Sequence, residues 1–499
     1  MTGSKSLIKD SAIYGGSTIL VKMISWLQTP LFTYTLAKSD FGMMTNLYAY
    51  VALIIVILTF GMETGFFRFV NQKEKYQSAT VYSTTLLIVS GIALLFLAFS
   101  LTFLPSIRPY LWQDEIPDSY IRMVLIILTM DTVSAIPFAY LRYRKKTKKF
   151  GFLKLLNVVL YFFFCVFFLI VCPWINKHWP GLISWFWRDD FRLGYVFISN
   201  LLATGIQTLC LLPDATGFRY KWDGRLARNM LVYCFPLMIM GLAGMSNQVV
   251  DKLVFPVVYP DSELAFDELG VYGACFKIAL IMMMFTQAFR YAYEPYVFEK
   301  SKDKNAGQSY ADVMKYFIIM GLLVFLVVVF YLDIIKYFIE PEYFGALHIV
   351  PIVLIGELFF AVYFNLSFWY KLTDKTYWGA IFSTIASVVI IGINLFFIPQ
   401  YGYMACAWAP FIGNGLIVLL SYYFGQKDFP VRYDLKTIGL YAFIAGVLFT
   451  ISYFVPLPNA SQRIAFNTIL LAVYLFILIK RDLPLKEIPV LNRFIGKRR

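Results

Sequence analysis

Long apolar runs punctuated by short polar segments divide this chain almost from end to end. There are about fourteen such runs, most of roughly 17 to 27 residues, and a helix needs about 20 residues to cross the hydrocarbon core of a bilayer. The first six are expected near 11–34, 41–65, 80–104, 123–141, 155–173 and 193–213. After a charged linker, Asp214 to Asn229, six more are expected near 230–256, 269–289, 316–332, 346–370, 377–398 and 403–424. Two further runs lie near 437–455 and 464–479. Turn signals such as Pro105, Pro180-Gly181, Pro341 and Pro456 to Pro458 fall between runs, where the backbone can meet water or headgroups. The pattern predicts an all-α polytopic membrane protein with no outward soluble domain.

Charge gives this topology a direction. With the N-terminus on the cytoplasmic side, loops on that side hold 33 of the 44 Lys and Arg and the opposite loops hold 8, while acidic residues divide 13 and 13. An excess confined to Lys and Arg is the signature of the positive-inside rule, so both termini are expected in the cytoplasm. Composition agrees: 60% hydrophobic residues and a mean hydropathy of +0.67 exceed what a soluble domain can hide. The net charge of +14 does not point to nucleic acid. Its clusters, such as Arg142, Arg144, Lys145, Lys146, Lys148 and Lys149, stand at helix ends, where topology and anionic headgroups account for them. The first run contains Lys22 and is full length, unlike a cleavable signal. The six cysteines fall mainly within helices without a C-x-x-C, which predicts packed thiols and no metal site.

Seven charges remain inside the runs: Lys22, Glu63, Asp131, Asp251, Lys252, Lys277 and Glu357. Each central charge costs about 2.5 to 3.5 kcal/mol on insertion scales, so these side chains are expected to face a bundle interior or a wet cavity. In the first helix Tyr14, Thr18, Lys22, Ser25, Thr29 and Thr33 recur at spacings of three and four, which makes one polar stripe. Helix 7 carries Asn247, Gln248, Asp251 and Lys252 on a comparable face. Lysines are compact, mobile cations suited to a phosphate-bearing ligand. Lys22, Lys252 and Lys277 are therefore candidate substrate contacts, or else partners of Asp131, Asp251 or Glu357 in structural pairs. Arg68 and Arg290, at inner helix ends, are either topology anchors or part of a cytoplasmic mouth. Glu63, Asp131, Asp251 and Glu357 are candidates for ion coupling or structural pairing. Gly15, Gly16 and Pro30 in helix 1, with Pro236, Gly241 and Gly244 in helix 7, mark these helices as bending elements.

The two halves repeat weakly. Asp40-Phe41-Gly42 precedes helix 2 and Glu268-Leu269-Gly270 precedes helix 8. Leu193-Gly194-Tyr195 opens helix 6 and Tyr401-Gly402-Tyr403 opens helix 12, followed by Phe218-Arg219-Tyr220 and Val431-Arg432-Tyr433. Taken in order, these favour two parallel six-helix units, residues 1–215 and 216–428, with helices 13 and 14 and a basic tail in 429–499.

Several local runs carry a family resemblance. Leu7 to Gly15, Ser39-Asp40-Phe41-Gly42, Leu47-Tyr48-Ala49-Tyr50 and Gly61 to Phe69, then Tyr233-Cys234-Phe235-Pro236 and Ile398 to Met404, resemble the polysaccharide-biosynthesis branch of the oligosaccharide flippases. The resemblance implies the multidrug/oligosaccharidyl-lipid/polysaccharide exporter (MOP) fold, two six-helix lobes that open alternately. It also implies a polyprenyl-diphosphate-linked oligosaccharide as substrate, membrane lipids, a polysaccharide polymerase and glycosyltransferases as partners, and a bacterial cytoplasmic membrane as the site. In such flippases the extra C-terminal helices help form a groove toward the lipid phase. The rival within the same fold is a proton- or Na⁺-coupled exporter of small molecules.

Enzymatic readings have less to stand on. The two histidines, His178 and His348, occur in or near outward loops, and there is no G-x-x-x-x-G-K-[ST] phosphate loop. A membrane glycosyltransferase or polymerase would have to draw on Asp114-Glu115 or Asp189-Asp190, pairs that read as solvated loop charges. No cofactor is expected.

Overall fold

The computed structural model describes residues 16–482 apart from 73, 113–114, 217–220, 301–305, 374 and 456; among these no strand occurs. Among the described residues thirteen helices are long and apolar enough to cross a membrane. A preceding helix, α1, is described over 16–27 and resumes as Thr29–Thr35. The others are α2 Lys38–Val70, α3 Ser78–Trp112, α4 Asp118–Tyr143, α5 Thr147–His178, α6 Asp189–Ala215 and α7 Gly224–Val258. Then come α8 Ser262–Arg290, α9 Gly307–Phe330, α10 Pro341–Leu372, α11 Tyr377–Tyr401, α12 Tyr403–Asp428, α13 Leu435–Phe454 and α14 Ala460–Arg481.

Several helices overrun the ends expected from sequence. Pro105, taken as a turn, lies inside α3 together with Pro109, and α5 continues through Pro173 by way of a π-helical turn at Phe167–Val171. The charged linker shrinks because α6 runs on to Thr216 and α7 begins at Gly224, where Asp223 caps it by accepting from the amides of Arg225 (2.9 Å) and Leu226 (3.0 Å). Hydropathy marks where lipid stops, and helices continue past that point into the interface. Pro30 opens the second segment of α1, where its missing N–H breaks no bond.

Alternation of the spans places the Arg142–Lys149 loop on one face, here the basic face, and the α1–α2, α7–α8 and α11–α12 connections on the far face. Packing forms two groups: α6 against α4 and α5, and α12 against α10 and α11, with α2 packed on both α7 and α8 across the seam. α13 packs on α9, and α14 on both of these.

Two features position the seam. At the far face Gly42 of α2 meets Gly270 of α8 so closely that an added Cβ on Gly42 would lie 1.9 Å from the Phe266 carbonyl oxygen, and one on Gly270 would lie 2.1 Å from that of Lys38. Both glycines belong to the short motifs Asp40-Phe41-Gly42 and Glu268-Leu269-Gly270, and each packs on the other's backbone. Around them Tyr34 donates to the Tyr337 carbonyl (3.1 Å), Tyr343 to that of Leu36 (3.2 Å) and Arg192 to that of Thr35 (3.0 Å), so the far face is closed.

Helix α7 is the second feature, because it changes partners along its length. Its basic-face half packs with α2 and α3 through Leu226, Met230 and Cys234. Gly61, at φ +66°, turns the α2 backbone beside it in a conformation that favours glycine, with the Cys234 carbonyl 3.3 Å from where a Cβ would be. The far-face half belongs to the other group: Ser387 donates to Ala243 O (3.3 Å) and Val250 packs with Ile390 and Ala409. The exchange occurs at Gly241, which faces Val56, and Gly244, which faces open space.

Candidate functional site

The intramembrane charges separate into paired groups and open ones. Lys252 stands 2.8 Å from Asp251, with its ammonium 4.1 Å from the centre of the Phe276 ring, and Tyr272 donates to the same carboxylate at 2.5 Å. Asn46 of α2 locks this group to the seam, donating to Lys252 O (2.7 Å) and accepting from Trp112 Nε1 (2.8 Å). Glu357 of α10 lies within electrostatic reach of both Lys252 and Asp251. Lys252 and Asp251 thus form a largely buried pair whose remaining polar positions are satisfied by neighbours.

Asp131 is not near any of the three lysines counted inside the membrane. Its compensating charge is Lys154 of α5, whose ammonium lies 4.1 Å from the centre of the Phe138 ring. Hydropathy places Lys154 one residue before a helix expected at 155, but the helix begins at Thr147 and includes it. Beside this pair, Asn200 donates to Tyr48 (2.9 Å) and Asn157 to Thr204 (3.4 Å), a polar layer internal to the first group of helices. Glu63 is ion-paired with Arg142 near the basic face, which ties α2 to α4.

Lys22 and Lys277 are the open cations. Among the described residues neither makes a hydrogen bond or ion pair through its side chain. Lys22 is exposed, one turn from Trp26, whose Nε1 donates to the Lys277 carbonyl (2.8 Å), so the two lysines stand at similar depth on α1 and α8. Arg290, further along α8 toward the basic face, adds its positive charge to the field at Lys22 and stacks on Phe364 (3.7 Å). Arg68 stacks on Tyr233 of α7 (4.0 Å) at the same face. The α1 stripe continues with exposed Ser25 and ends in Thr29 and Thr33, both buried in the far-face closure. Tyr14 and Gly15 lie outside the described residues.

An apolar groove of about 1070 Å³ opens among α9, α10, α12, α13 and α14, lined by side chains such as Leu322, Phe325, Ile355, Val418 and Phe449. At its far-face end Asp333 accepts two hydrogen bonds from Arg463 (2.7 and 3.1 Å) and one from Lys336 (3.0 Å). The Arg463 hydrogen bonds hold the Asp333 carboxyl below its ordinary range. Asp333 and Arg463 lie 130 positions apart in sequence, so only the fold could join them. Among the described residues no cluster of three or more His, Cys, Asp or Glu could hold a metal ion.

Comparison with known proteins agrees with this architecture. The family model MatE matches residues 261–396. No curated protein matches the chain in sequence. Among solved structures, the lipid II flippase MurJ in an inward closed conformation superposes with a TM-score of 0.70 at 16% identity, over 95% of this chain and 99% of that one. An inward-facing multidrug resistance MATE family transporter of the MOP superfamily gives 0.63 at 10% identity, over 85% and 95%. An outward-facing MATE transporter gives 0.52 at 13%, over 88% and 96%. These matches are transporters and flippases rather than enzymes, and the chain has the membrane-transporter fold that MurJ and the MATE proteins of the MOP superfamily share.

Proposed function

We propose that this protein is a flippase that moves a polyprenyl-diphosphate-linked oligosaccharide from the cytoplasmic to the outer leaflet by alternating access, for surface polysaccharide synthesis. The observation that carries the reading is the pairing of two unlike features in one fold. Lys22 and Lys277 stand at the seam with no side-chain hydrogen bond or ion pair among the described residues, and Arg290 and Arg68 add positive charge toward the basic face. A membrane-facing apolar groove is walled by the two helices beyond the six-plus-six arrangement. A diphosphate loses hydration on entering the membrane, and lysines with trapped water offset part of that loss. A hydrocarbon chain needs no water, and the groove offers it a dry wall. A water-soluble solute would need the first feature alone, which disfavours the small-molecule exporter.

In this reading the lobes are residues 1–215 and 216–428, the basic face is cytoplasmic, and both termini lie there. The Gly42–Gly270 seam is the outer gate. Opening it requires α7 to change angle where it passes from one lobe to the other, at Gly241 and Gly244, while α1 flexes at Pro30. The paired charges, Asp131 with Lys154 and Asp251 with Lys252 near Glu357, are the places where a proton or Na⁺ could bias that equilibrium.

The test of substrate class is photo-crosslinking of a diazirine-bearing polyprenyl diphosphate to the protein in nanodiscs. Label on α9, α10 or α13, reduced by Lys22→Ala or Lys277→Ala, supports the reading. Label spread evenly over all lipid-facing helices and indifferent to both variants contradicts it.

A further inference from the structure

The sequence repeat has an asymmetry on the far face. In the first unit Asp40 opens α2, and the positive charge of Arg192, the residue before Leu193-Gly194-Tyr195, compensates it. Arg192 is itself fixed, donating to Asp189 (2.8 Å) and to the Thr35 carbonyl, so it fills the space between the α1–α2 and α5–α6 connections. In the second unit the counterpart of Asp40 is Glu268, and the counterpart of Arg192, the residue before Tyr401-Gly402-Tyr403, is Gln400. Among the described residues no guanidinium lines that space. A pocket of about 350 Å³ remains between the α7–α8 and α11–α12 connections.

Its lining is of a particular kind. Glu268 has no hydrogen bond or ion pair among the described residues, and Lys38 supplies only a more distant compensating charge. Asp261 commits one oxygen to the amides of Glu263 (3.1 Å) and Leu264 (3.3 Å), which leaves the other available. Burial, with Glu268 and then Asp261 nearby, raises the Tyr259 phenol above its ordinary value, so both carboxylates share the pocket with that ring. Tyr259 is braced by stacking on Phe255 (5.0 Å) and lies 3.5 Å from where a Cβ on Gly402 would stand. Tyr401 is 62% exposed, and Gln400 is exposed beside it.

A concave site with an exposed aromatic ring, tilted against Phe397 at 6.1 Å, two carboxylates and an amide suits a polyhydroxylated ring. Carboxylates accept from hydroxyls, the amide donates and accepts, and an aromatic face takes the C–H side of the ring. Its size falls at the lower end of the roughly 300 to 1,000 Å³ of small-ligand pockets. Two carboxylates exclude anions. We propose that this pocket holds one neutral or amino-bearing sugar residue of the transported glycan at the far face, with Tyr401 as the stacking surface and Glu268, Asp261 and Gln400 as hydroxyl or ammonium partners. The inference rests on the flippase reading and divides the substrate by charge: cations at the seam for the diphosphate, an acidic aromatic pocket for the sugar.

Saturation-transfer NMR on the full chain in nanodiscs tests it with three probes, methyl glucoside, methyl glucosaminide and methyl glucuronide. The neutral or amino glycoside should show transfer and the uronate should not. Tyr401→Ala and Glu268→Gln should each weaken binding about tenfold, and Gln400→Ala, at an exposed position, serves if either fails to fold. Transfer to none of the probes, equal transfer to the uronate, or binding indifferent to all three variants overturns the proposal. Calcium binding abolished by Glu268→Gln, with no glycoside signal, also overturns it by making the pocket a cation site. The same preparation is scored for leaflet exchange of a lipid-linked diphosphate. Exchange without glycoside binding refutes the pocket alone, and glycoside binding without exchange refutes the flippase reading alone.

Discussion

Substituting Gly42 or Gly270 by alanine should open the far face. Each new Cβ meets backbone, which cannot swing aside as a side chain can. Restoring the Gly42 contact from 1.9 Å to the 3.4 Å at which such contacts become ordinary requires α2 and α8 to separate by about 1.5 Å. Overpacking of this kind costs about 1 to 3 kcal/mol. Because the strain exists only where the two helices touch, it falls on the closed state and shifts the closed-to-open ratio by about 5- to 150-fold. Spin labels at Ala37 and Ser262, both exposed on the far face beside the seam, report the separation by pulsed electron resonance. The distance distribution should move to longer values in Gly42→Ala and Gly270→Ala. It should not move in Gly91→Ala, where a Cβ meets nothing within 4 Å. Superimposable distributions in folded seam variants and wild type would refute the reasoning.

Three further outcomes follow from the same geometry. Lys22→Ala should lower export of surface polysaccharide about tenfold or more at normal expression, and Lys22→Arg should retain part of it because the charge survives; full export by a well-expressed Lys22→Ala protein would return Lys22 to a structural role. The Asp333 carboxyl, held low by Arg463, contributes a few tenths to about 1 kcal/mol that is present above its unfolded-state value and is lost as pH falls through its lower folded value. The protection factors of α14 amides, corrected for the intrinsic pH dependence of exchange, should therefore fall on acidification through that range in the wild type and stay flat in Asp333→Asn. A cysteine placed at Lys146 should react with an impermeant thiol reagent only after the membrane is breached, and reaction from the periplasm would reverse the assigned orientation.

How far the sequence foretells this molecule depends on the distance over which each feature is decided. Spans are local properties of hydropathy, and the recurring short motifs include Gly42 and Gly270, the two residues at which α2 and α8 approach most closely at the far face. Helix ends were less legible, because Pro105 and Pro173 look like terminators yet sit in helices that carry on. The choice of ion pairs was not legible. Lys252 takes its sequence neighbour Asp251, Asp131 takes Lys154 from another helix, and Asp333 meets Arg463 across 130 positions. Each pairing depends on helix rotation, which a uniformly apolar helix barely encodes. The far-face pocket was legible only by aligning Arg192 with Gln400, an absence that becomes visible once the first unit shows what fills the space.

Leaflet exchange by the purified protein tests the central claim most directly. The chain is reconstituted into liposomes with a fluorescent polyprenyl-diphosphate oligosaccharide in both leaflets, and an impermeant reductant quenches the outer pool. The account predicts that the protected inner pool empties over time with the diphosphate and glycosidic bonds intact, and that Lys22→Ala slows the emptying. An inner pool that stays protected in the presence of folded protein, or a substrate recovered cleaved, would contradict it.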